Sequence, residues 1–336
     1  MMNKSLSFHV QRYFSAYLIG QRNYGKNTLA SYRDTFKLLL LWLDKCAAKK
    51  KNIPIAAIDK SCVLRFLDWL KTERKNSAST RNVRLAHLKS FFHYTRLEAP
   101  ELAEQCESVM NIPFTDTETR PPEYMTEDAV SHVLHSINAD SKAGLRHLTI
   151  LSLLYDSGCR VQELIDLKVC DVQFEMGGRI FVHGKGNKYR EIPIMPDTGQ
   201  IIRKYIKAYA LSAQDLLFTN KQGKRLTRQG IRHILRKYAS LSQKDNPDDF
   251  GGQEIYPHLL RHSRATHLVN TGVNIYNVKD FLGHAHVQTT QIYLTSNPEV
   301  TRKAIEKVAS QTVPDSVDYY SETEKRSLME FLETLV

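Results

Sequence analysis

The chain has 336 residues, enough for two ordinary domains, and its 42% hydrophobic and 25% charged residues are typical of a globular protein. Five cysteines without a C-x-x-C pair argue against a disulfide framework, and no apolar run or signal-like start indicates a membrane or export, so we expect a cytoplasmic protein. The net charge of +11, with 19 Lys and Arg against 9 Asp and Glu over residues 1–110, suits a polyanion-binding surface, with an inert basic surface as the alternative.

The first region, residues 1–110, places its apolar residues at helical spacing, which predicts an all-helical domain. The last of its three helical patterns has Ser79 or Thr80 as its expected N-cap. Residues 111–123 lose this periodicity and contain three prolines. They form the predicted linker between two domains.

A second domain is predicted over residues 124–310, and it combines helices with strands. From Val172 to Ile194, β-branched and aromatic residues alternate between tight glycine-containing turns, which predicts a short antiparallel sheet. Helical patterns flank this sheet, and they cover residues 126–137, 144–168, 197–210, 227–240, 258–271, 275–282 and 286–295.

The tail, residues 311–336, is acidic but carries an apolar stripe at helical spacing. We expect this stripe to close onto its own domain or to dock on a neighbouring subunit. Its members are Leu328, Phe331, Leu332 and Leu335. Before the tail, a short helix is expected after Pro298, with Ala304, Ile305 and Val308 on one face.

The stretch 258–293 is unusually rich in imidazole, guanidinium and phenol groups. His258, Arg261 and His262 follow one another at helical spacing, so they crowd one side of a helix, and cationic groups beside apolar neighbours require an anionic partner. A zinc-protease H-E-x-x-H motif is excluded, because Leu259 stands where the glutamate is needed. For each histidine alone, a hydrogen bond inside the core is the simpler interpretation.

Five more residues carry chemistry but are ambiguous one by one. Tyr293 follows His284 by nine residues, and alone it would be an ordinary half-buried aromatic. Arg160 and Glu163 lie one helical turn apart, as in a surface ion pair. Lys185 sits in a Gly-Lys-Gly turn between two predicted strands, where a solvated hairpin tip is the alternative.

Taken together, these residues resemble the tyrosine recombinase (phage integrase) family, whose pattern is Arg, a β-hairpin Lys, His-x-x-Arg, His or Trp, and Tyr. The surrounding sequence segments GCRVQELIDL, HLLRHSRATHL and LGH match the family as well. The matching residues, in order, are Arg160, Lys185, His258, Arg261, His284 and Tyr293. The resemblance covers about residues 6–310 and implies a SAM-like core-binding fold before the linker and the family's catalytic fold after it.

The resemblance implies a site-specific recombinase that cuts DNA through a 3′-phosphotyrosine intermediate and needs no metal, ATP or other cofactor. Tyr293 would be the nucleophile. A phenol has an ordinary pKa of about 10, so it needs a proton acceptor, and His258 is the natural one. Lys185 would protonate the leaving 5′ oxygen.

The transition state of this reaction carries extra negative charge on the non-bridging phosphate oxygens. Guanidinium groups suit that charge, because they are planar, always charged and donate two parallel hydrogen bonds. Arg160 and Arg261 are therefore expected to grip the phosphate, with His284 as a third donor. Glu163 is expected to orient Arg160.

Basic residues outside this set are predicted to contact DNA, although solubilising charges are the alternative for each. One group lies on the third helical pattern of the first domain, and another surrounds a helix start in the second, where the helix N-terminus also attracts phosphate. The two groups are Arg81, Arg84 and Lys89, and then Lys224, Arg225, Arg228 and Arg232.

The implied partner is double-stranded DNA containing specific sites, bound by a homotetramer, with an accessory protein or a second recombinase as a further possible partner. Integration, excision or transposition of a mobile element and the resolution of chromosome dimers all fit the pattern. Two alternatives stay open: a type IB-like topoisomerase with similar catalytic groups, and a non-catalytic DNA-binding regulator on the same scaffold.

Overall fold

The computed structural model describes residues 5–46, 53–117, 122–184, 189–294, 302 and 321–335. Contacts within the chain divide it into two compact units, unit 1 from Met1 to Thr119 and unit 2 from Arg120 to Val336. This division falls inside the predicted linker, and the domain limits given above stay a prediction. The mainly helical fold with one small antiparallel sheet confirms the expected fold class.

Unit 1 is helical, as the spacing of its apolar residues predicts. Its elements are α1 (Leu6–Arg12), which continues into a π-helical segment (Tyr13–Gln21), α2 (Lys26–Cys46), α3 (Lys60–Thr72), α4 (Ala78–Glu98) and α5 (Ala103–Met110). Short 3-10 turns lie at Ile55–Ala57 and Pro100–Leu102.

The start of α4 differs from the expectation. Ser77 is the N-cap, and its hydroxyl accepts a hydrogen bond from the backbone N–H of Thr80 at 3.2 Å. The expected caps, Ser79 and Thr80, are wrong, because the extended backbone of Ser77 already lets its side chain reach an otherwise unpaired N–H of the first turn. The helix therefore begins at Ala78.

An aromatic cluster forms the core of unit 1. Tyr13 is fully buried, and its ring meets Phe91 edge to face with 5.3 Å between the centroids. Phe36 meets the same ring of Phe91 at 5.2 Å. The hydroxyl of Tyr13 donates to Ser90 Oγ at 2.8 Å, so the buried oxygen keeps a partner. These contacts join the π-helical segment to α2 and α4.

Unit 2 surrounds a three-stranded sheet with helices. Its elements in chain order are α6 (Glu127–His135), α7 (Lys142–Ser157), α8 (Val161–Asp166), β1 (Val172–Gln173), β2 (Arg179–His183), β3 (Tyr189–Pro193), α9 (Pro196–Tyr209), α10 (Arg228–Asp245), α11 (Pro257–Asn270), α12 (Ile275–Leu282), α13 (Gln288–Gln291) and α14 (Glu322–Glu333).

The sheet is antiparallel with strand order β1-β2-β3. Ile180 pairs with Ile192, and Val182 pairs with Arg190. Ile180, Val182 and Ile192 are buried and belong to the same core as the apolar residues of α7, including Leu154. Because side chains alternate along a strand, this register points Arg190 to the same face as the buried isoleucine.

The pattern predicted over residues 144–168 forms two helices. Gly158 ends α7 in the left-handed conformation, with φ of +53°, and α8 begins at Val161. A Cβ at Gly158 would lie 3.1 Å from the ring of Phe281, so glycine suits both the backbone and the space. The break leaves Arg160 between two helices.

The end of the chain is only partly described. The helix expected over residues 286–295 is reduced to α13, and the helix expected after Pro298 lies outside the described residues. The apolar stripe of α14 is exposed. The expected closure onto its own domain is therefore wrong, and docking on a neighbouring subunit stays a prediction. The exposed fractions are 47% for Leu328, 58% for Phe331, 50% for Leu332 and 65% for Leu335.

In the described parts of the chain, no helix combines the length and the apolar character that crossing a membrane requires.

The aromatic core of unit 1 yields a stability prediction. Phe91→Ala removes a side chain that is 1% exposed and contacts several rings, and the free energy of unfolding should fall by about 3–5 kcal/mol. Leu97→Ala, on the same helix but 64% exposed, should change it by less than about 0.5 kcal/mol. Urea unfolding followed by circular dichroism measures both, and equal midpoints for the two variants would contradict this view of the core.

Candidate active site

Arg160 occupies the break between α7 and α8 and is fixed by groups on two sides. Its backbone N–H donates to Glu163 Oε2 at 2.7 Å, and its Nη1 donates to Oε1 of the same carboxylate at 2.8 Å. Its Nη2 donates to the carbonyl oxygen of Gly283 at 3.2 Å. About a third of the side chain remains exposed, at 36%, so an anion from solvent can still reach the guanidinium group.

Arg261, on α11, is buried and bonds to the ends of two helices. Its Nη1 donates to the carbonyl oxygen of Gly158 at 2.6 Å, and its Nη2 donates to that of Leu282 at 2.7 Å. Carbonyl groups at a helix C-terminus lack helical partners and carry partial negative charge, so they suit a buried cation. Burial, and then the charge of Arg160, lower the pKa of Arg261 to about 10.

A third guanidinium group, that of Arg190 on β3, joins the same cluster. Its Nη2 donates to Glu163 Oε2 at 3.1 Å, so one buried carboxylate lies between Arg190 and Arg160. Glu163 therefore contacts Arg160, and its role in orienting that side chain stays a prediction. Arg190 was not among the predicted site residues, although a charged residue two positions before the buried Ile192, on the same face of a strand, signals a buried partner.

Gly283 makes room for this cluster at the end of α12. It has a left-handed backbone, with φ of +65°, and a Cβ added there would lie 1.8 Å from Nη1 of Arg190. Glycine is therefore required for two independent reasons, the backbone conformation and the close approach of the guanidinium group. Its carbonyl oxygen is the acceptor for Arg160 described above.

Tyr293 is buried, with 1% of its surface exposed, in a small apolar cluster formed with α11 and α12. Its hydroxyl lies 2.8 Å from Nδ1 of His262, a residue of α11 that follows Arg261 directly. Burial raises the pKa of the phenol, and the charge of Arg261 opposes this shift. In this state the phenol is neutral and shares a hydrogen bond with the His262 ring.

The two predicted catalytic histidines lie in different surroundings. His258 is exposed on α11, and its pKa is lowered by partial desolvation and then by the charges of Arg261 and Arg160. Nδ1 of His284 lies 2.9 Å from Oγ1 of the buried Thr290. Burial, and then Arg261 and Arg160, lower the pKa of His284 to about 4. Both rings are therefore neutral at pH 7 before any anion binds.

A buried carboxylate, Asp156, fixes the exit of the β2–β3 hairpin. Its Oδ2 accepts a hydrogen bond from the backbone N–H of Met195 at 2.6 Å, and its Oδ1 accepts one from Arg264 Nη2 at 3.3 Å. Burial raises the pKa of Asp156, and the bond from Met195 and the charge of Arg264 oppose the rise. The carboxylate thereby connects α7, the end of β3 and α11.

Lys185 lies outside the described residues, so its position stays a prediction. The strands on either side of it end at His183 and resume at Tyr189. Arg190 of the second strand belongs to the guanidinium cluster.

The basic residues predicted to bind DNA in unit 1 are partly engaged within that unit. Nη1 of Arg84 donates to the carbonyl oxygen of Ser31 at 3.1 Å and to a buried hydroxyl at 3.0 Å. Nζ of Lys89 lies 4.3 Å from the ring centroid of Phe114. Arg81 is half-buried, with no partner for its Nε among the described residues. DNA contacts by these three side chains stay a prediction.

The basic residues predicted to bind DNA in unit 2 surround the start of α10. Arg225 pairs with Asp166 at 2.7 Å, and Nε of Arg228 donates to Gln162 at 3.1 Å. Arg232 pairs with Glu254. The backbone N–H of Lys224 bonds within its own turn, and its side chain is exposed. Exposed ion pairs of this kind are weak, so a phosphate can displace the carboxylates.

Of the six predicted catalytic residues, Arg160 and Arg261 converge on the ends of α7 and α12, and His284 follows directly at the same turn. Tyr293 is hydrogen-bonded to α11 through His262, which the sequence pattern places only on a crowded helix face. A cationic cluster beside a phenol defines a site for attack on an anionic, phosphate-containing substrate.

Two family models match most of the chain. The phage integrase family matches residues 123–299, and the N-terminal SAM-like domain of phage integrases matches residues 10–99. The chain therefore belongs to the phage integrase family, as its motif pattern predicts.

Curated relatives extend this match along nearly the whole chain. Tyrosine recombinase XerD of Listeria monocytogenes is 31% identical over 319 residues, which cover 90% of this chain and 97% of the relative. Tyrosine recombinase XerC of Herpetosiphon aurantiacus is 33% identical over 287 residues, which cover 83% and 88%.

Solved structures share the fold. The XerH site-specific recombinase bound to its difH substrate matches with a TM-score of 0.66 and 22% identity over 84% of this chain and 80% of that one. The Tn1549 transposon integrase in complex with transposon right end DNA matches with a TM-score of 0.67 and 19% identity over 89% and 99%. At these identities the structures establish the architecture alone.

The close approach at Gly283 yields a prediction with a matched control. Gly283→Ala should displace Arg190 and lower the free energy of unfolding by about 1–2 kcal/mol beyond the change caused by Gly272→Ala. Gly272 also has a positive φ, +85°, but nothing lies within 4 Å of an added Cβ, so it reports the backbone strain alone. Chemical denaturation of both variants measures the difference, and equal destabilisation would show that the guanidinium contact is unimportant.

Proposed function

We propose that this protein is a site-specific DNA recombinase that cuts and rejoins DNA strands through a covalent bond between Tyr293 and a 3′-phosphate. The observation that carries the proposal is the convergence of Arg160 and Arg261 at the ends of two helices, with the hydroxyl of Tyr293 bonded to the residue after Arg261. The named recombinase relatives support the same reaction.

Arg160 and Arg261 form the phosphate clamp. The pentacoordinate transition state gathers negative charge on the non-bridging oxygens, and preorganised guanidinium groups stabilise it without reorganising. His284 adds a donor at the same turn. Removal of one such donor typically lowers the rate by about 10²–10³. His258, exposed on the same helix as Arg261, is a further side chain that can contact the phosphate.

Tyr293 is the nucleophile in this proposal, and Lys185 is the general acid. Tyrosine attack breaks the bond between phosphorus and the 5′ oxygen, which leaves readily only if it gains a proton. In its proposed position near Arg160 and Arg261, the positive charges favour transfer of the Lys185 proton to the leaving oxygen.

The phosphotyrosine bond conserves the energy of the broken phosphodiester. The 5′-hydroxyl of a partner strand can therefore attack it and restore a DNA backbone without ATP, and the proposal requires no metal or other cofactor. Exchange between two duplexes follows when the attacking hydroxyl comes from the other duplex.

Double-stranded DNA with specific sites is the proposed partner. The XerH and Tn1549 integrase structures contain their DNA, which supports the same class of ligand for this chain. We expect a homotetramer on two sites, with or without an accessory protein or second recombinase, acting in the cytoplasm. Integration, excision or transposition of a mobile element and dimer resolution are the proposed roles, and the recombinase relatives disfavour a topoisomerase or a non-catalytic regulator.

The nucleophile assignment is tested with Tyr293→Phe on nicked duplexes drawn from the DNA that flanks the gene. Cleavage at the scissile phosphate beside the nick releases the short fragment between them, so the strand cannot be rejoined and the covalent complex accumulates. The variant should bind the duplex normally but form no covalent complex, because it lacks the attacking oxygen. Tyr276→Phe, an exposed tyrosine of α12, is the control and should cleave like the wild type.

Gel shift and denaturing gel electrophoresis measure binding and covalent attachment on the same duplexes. A covalent complex formed by Tyr293→Phe, or one that mass spectrometry maps to another residue, would exclude the proposed nucleophile.

The role of Lys185 is tested by changing the leaving group. Lys185→Ala should slow cleavage by about 10²–10⁴ on ordinary DNA, because the 5′ alkoxide leaves unprotonated. Substitution of sulfur for the bridging 5′ oxygen should remove most of the defect, since a thiolate leaves without a proton. Single-turnover rates on both substrates measure this, and an equal defect on both would exclude the general-acid role.

A further inference from the structure

We propose that His262 is a further catalytic residue, whose Nδ1 accepts the proton of Tyr293 as the phenol oxygen attacks the scissile phosphate. This inference rests on the proposed function above. It assigns the proton transfer to a residue other than His258, the acceptor that the family pattern suggests.

The contact between the two side chains is direct. The hydroxyl of Tyr293 lies 2.8 Å from Nδ1 of His262, within the range expected of a general base. In the proposed arrangement the phenol O–H donates and Nδ1 accepts, so the single N–H proton of the neutral imidazole is on Nε2. The donated proton points toward His262, so the lone pairs of the phenol oxygen remain free for phosphorus.

The position of His262 along α11 keeps it beside the clamp. It follows Arg261, whose guanidinium group is fixed to the carbonyl oxygens of Gly158 and Leu282. The charge of Arg261 acts on both His262 and Tyr293, so a phosphate held by Arg261 lies near this pair. His258 lies one turn earlier with an exposed ring, and its ring centroid is 6.3 Å from that of His262.

The surrounding charges keep the proton on the phenol until DNA binds. Burial, and then His258 and Arg261, lower the pKa of His262 to about 4, while burial raises the pKa of Tyr293 above its ordinary 10. The formation of the bond to phosphorus draws electrons from the phenol oxygen and lowers its affinity for the proton. A phosphate on Arg261 also offsets the positive field on His262, which makes the imidazole a better acceptor.

The step balances without another reactant. A bond forms between Oη of Tyr293 and phosphorus, and the bond between phosphorus and the 5′ oxygen breaks. The phenol proton moves to Nδ1 of His262, which becomes an imidazolium ion, and the 5′ oxygen takes a proton from Lys185 under the proposed function. Rejoining reverses both transfers, so His262 returns its proton to the phenol.

Two substitutions in the full-length chain separate proton acceptance from simple positioning. His262→Asn leaves an amide oxygen near the place of Nδ1, so it can accept the hydrogen bond but cannot take up the proton. His262→Ala leaves a space that free imidazole can enter. Single-turnover cleavage of the nicked duplexes is measured beside DNA binding and thermal unfolding, with His135→Asn, an exposed histidine of α6, as the control.

Both His262 variants should bind DNA like the wild type and cleave about 10²–10⁴ times more slowly, because each lacks a proton acceptor. Imidazole added to His262→Ala should restore part of the rate, and His135→Asn should cleave normally.

Wild-type cleavage by His262→Asn would overturn the inference, since alignment would then suffice. So would a slow His262→Ala variant, folded and bound to DNA, that imidazole does not accelerate. The proposed function fails separately, if the wild-type protein forms no covalent complex or forms one at a residue other than Tyr293.

Discussion

Three guanidinium groups lie close together in unit 2, and the site depends on the few negative groups that hold them there. Glu163 lies between Arg160 and Arg190, while carbonyl oxygens at the ends of α7 and α12 accept from Arg160 and Arg261. Among the described residues, the carboxylate of Glu163 pairs with two of these three arginines, while burial and then the charge of Arg160 lower the pKa of Arg261. A phosphate anion supplies the missing charge, which explains why this arrangement selects a phosphate-containing substrate.

The backbone conformation around the cluster provides the carbonyl oxygens that hold the guanidinium groups. Left-handed glycines end both helices, so that Gly158 and Gly283 present carbonyl oxygens to Arg261 and Arg160 at the turn that also positions His284. Gly283 further admits Arg190, because it has no Cβ. The clamp is thus assembled from chain segments more than 100 residues apart.

The family pattern lists the proposed catalytic residues in order, and hydrophobic periodicity predicts the helices around them. The sheet was predictable from its alternation, and α12 matches its predicted span, residues 275–282. The break at Gly158 was not, because the apolar spacing of α7 continues into α8 across it. Local periodicity contains no information about which carbonyl oxygen lies opposite an arginine.

Arg190 was missed, and His262 was named only as part of a crowded helix face. Each contacts a distant segment, Arg190 with Glu163 and His262 with Tyr293, and no local pattern identifies that partner. Lys185, in contrast, is assigned from the family pattern alone, because its position lies outside the described residues.

The proposal that the arginine clamp offsets phosphate charge is tested most directly by removing the charge from the substrate instead of from the protein. Single-turnover cleavage by the wild type and by Arg160→Ala is compared on nicked duplexes whose scissile phosphate is either normal or a neutral methylphosphonate. If the clamp serves to offset phosphate charge, the variant should lose about 10²–10³ in rate on the phosphate and far less on the methylphosphonate. An equal loss on both substrates would contradict the account.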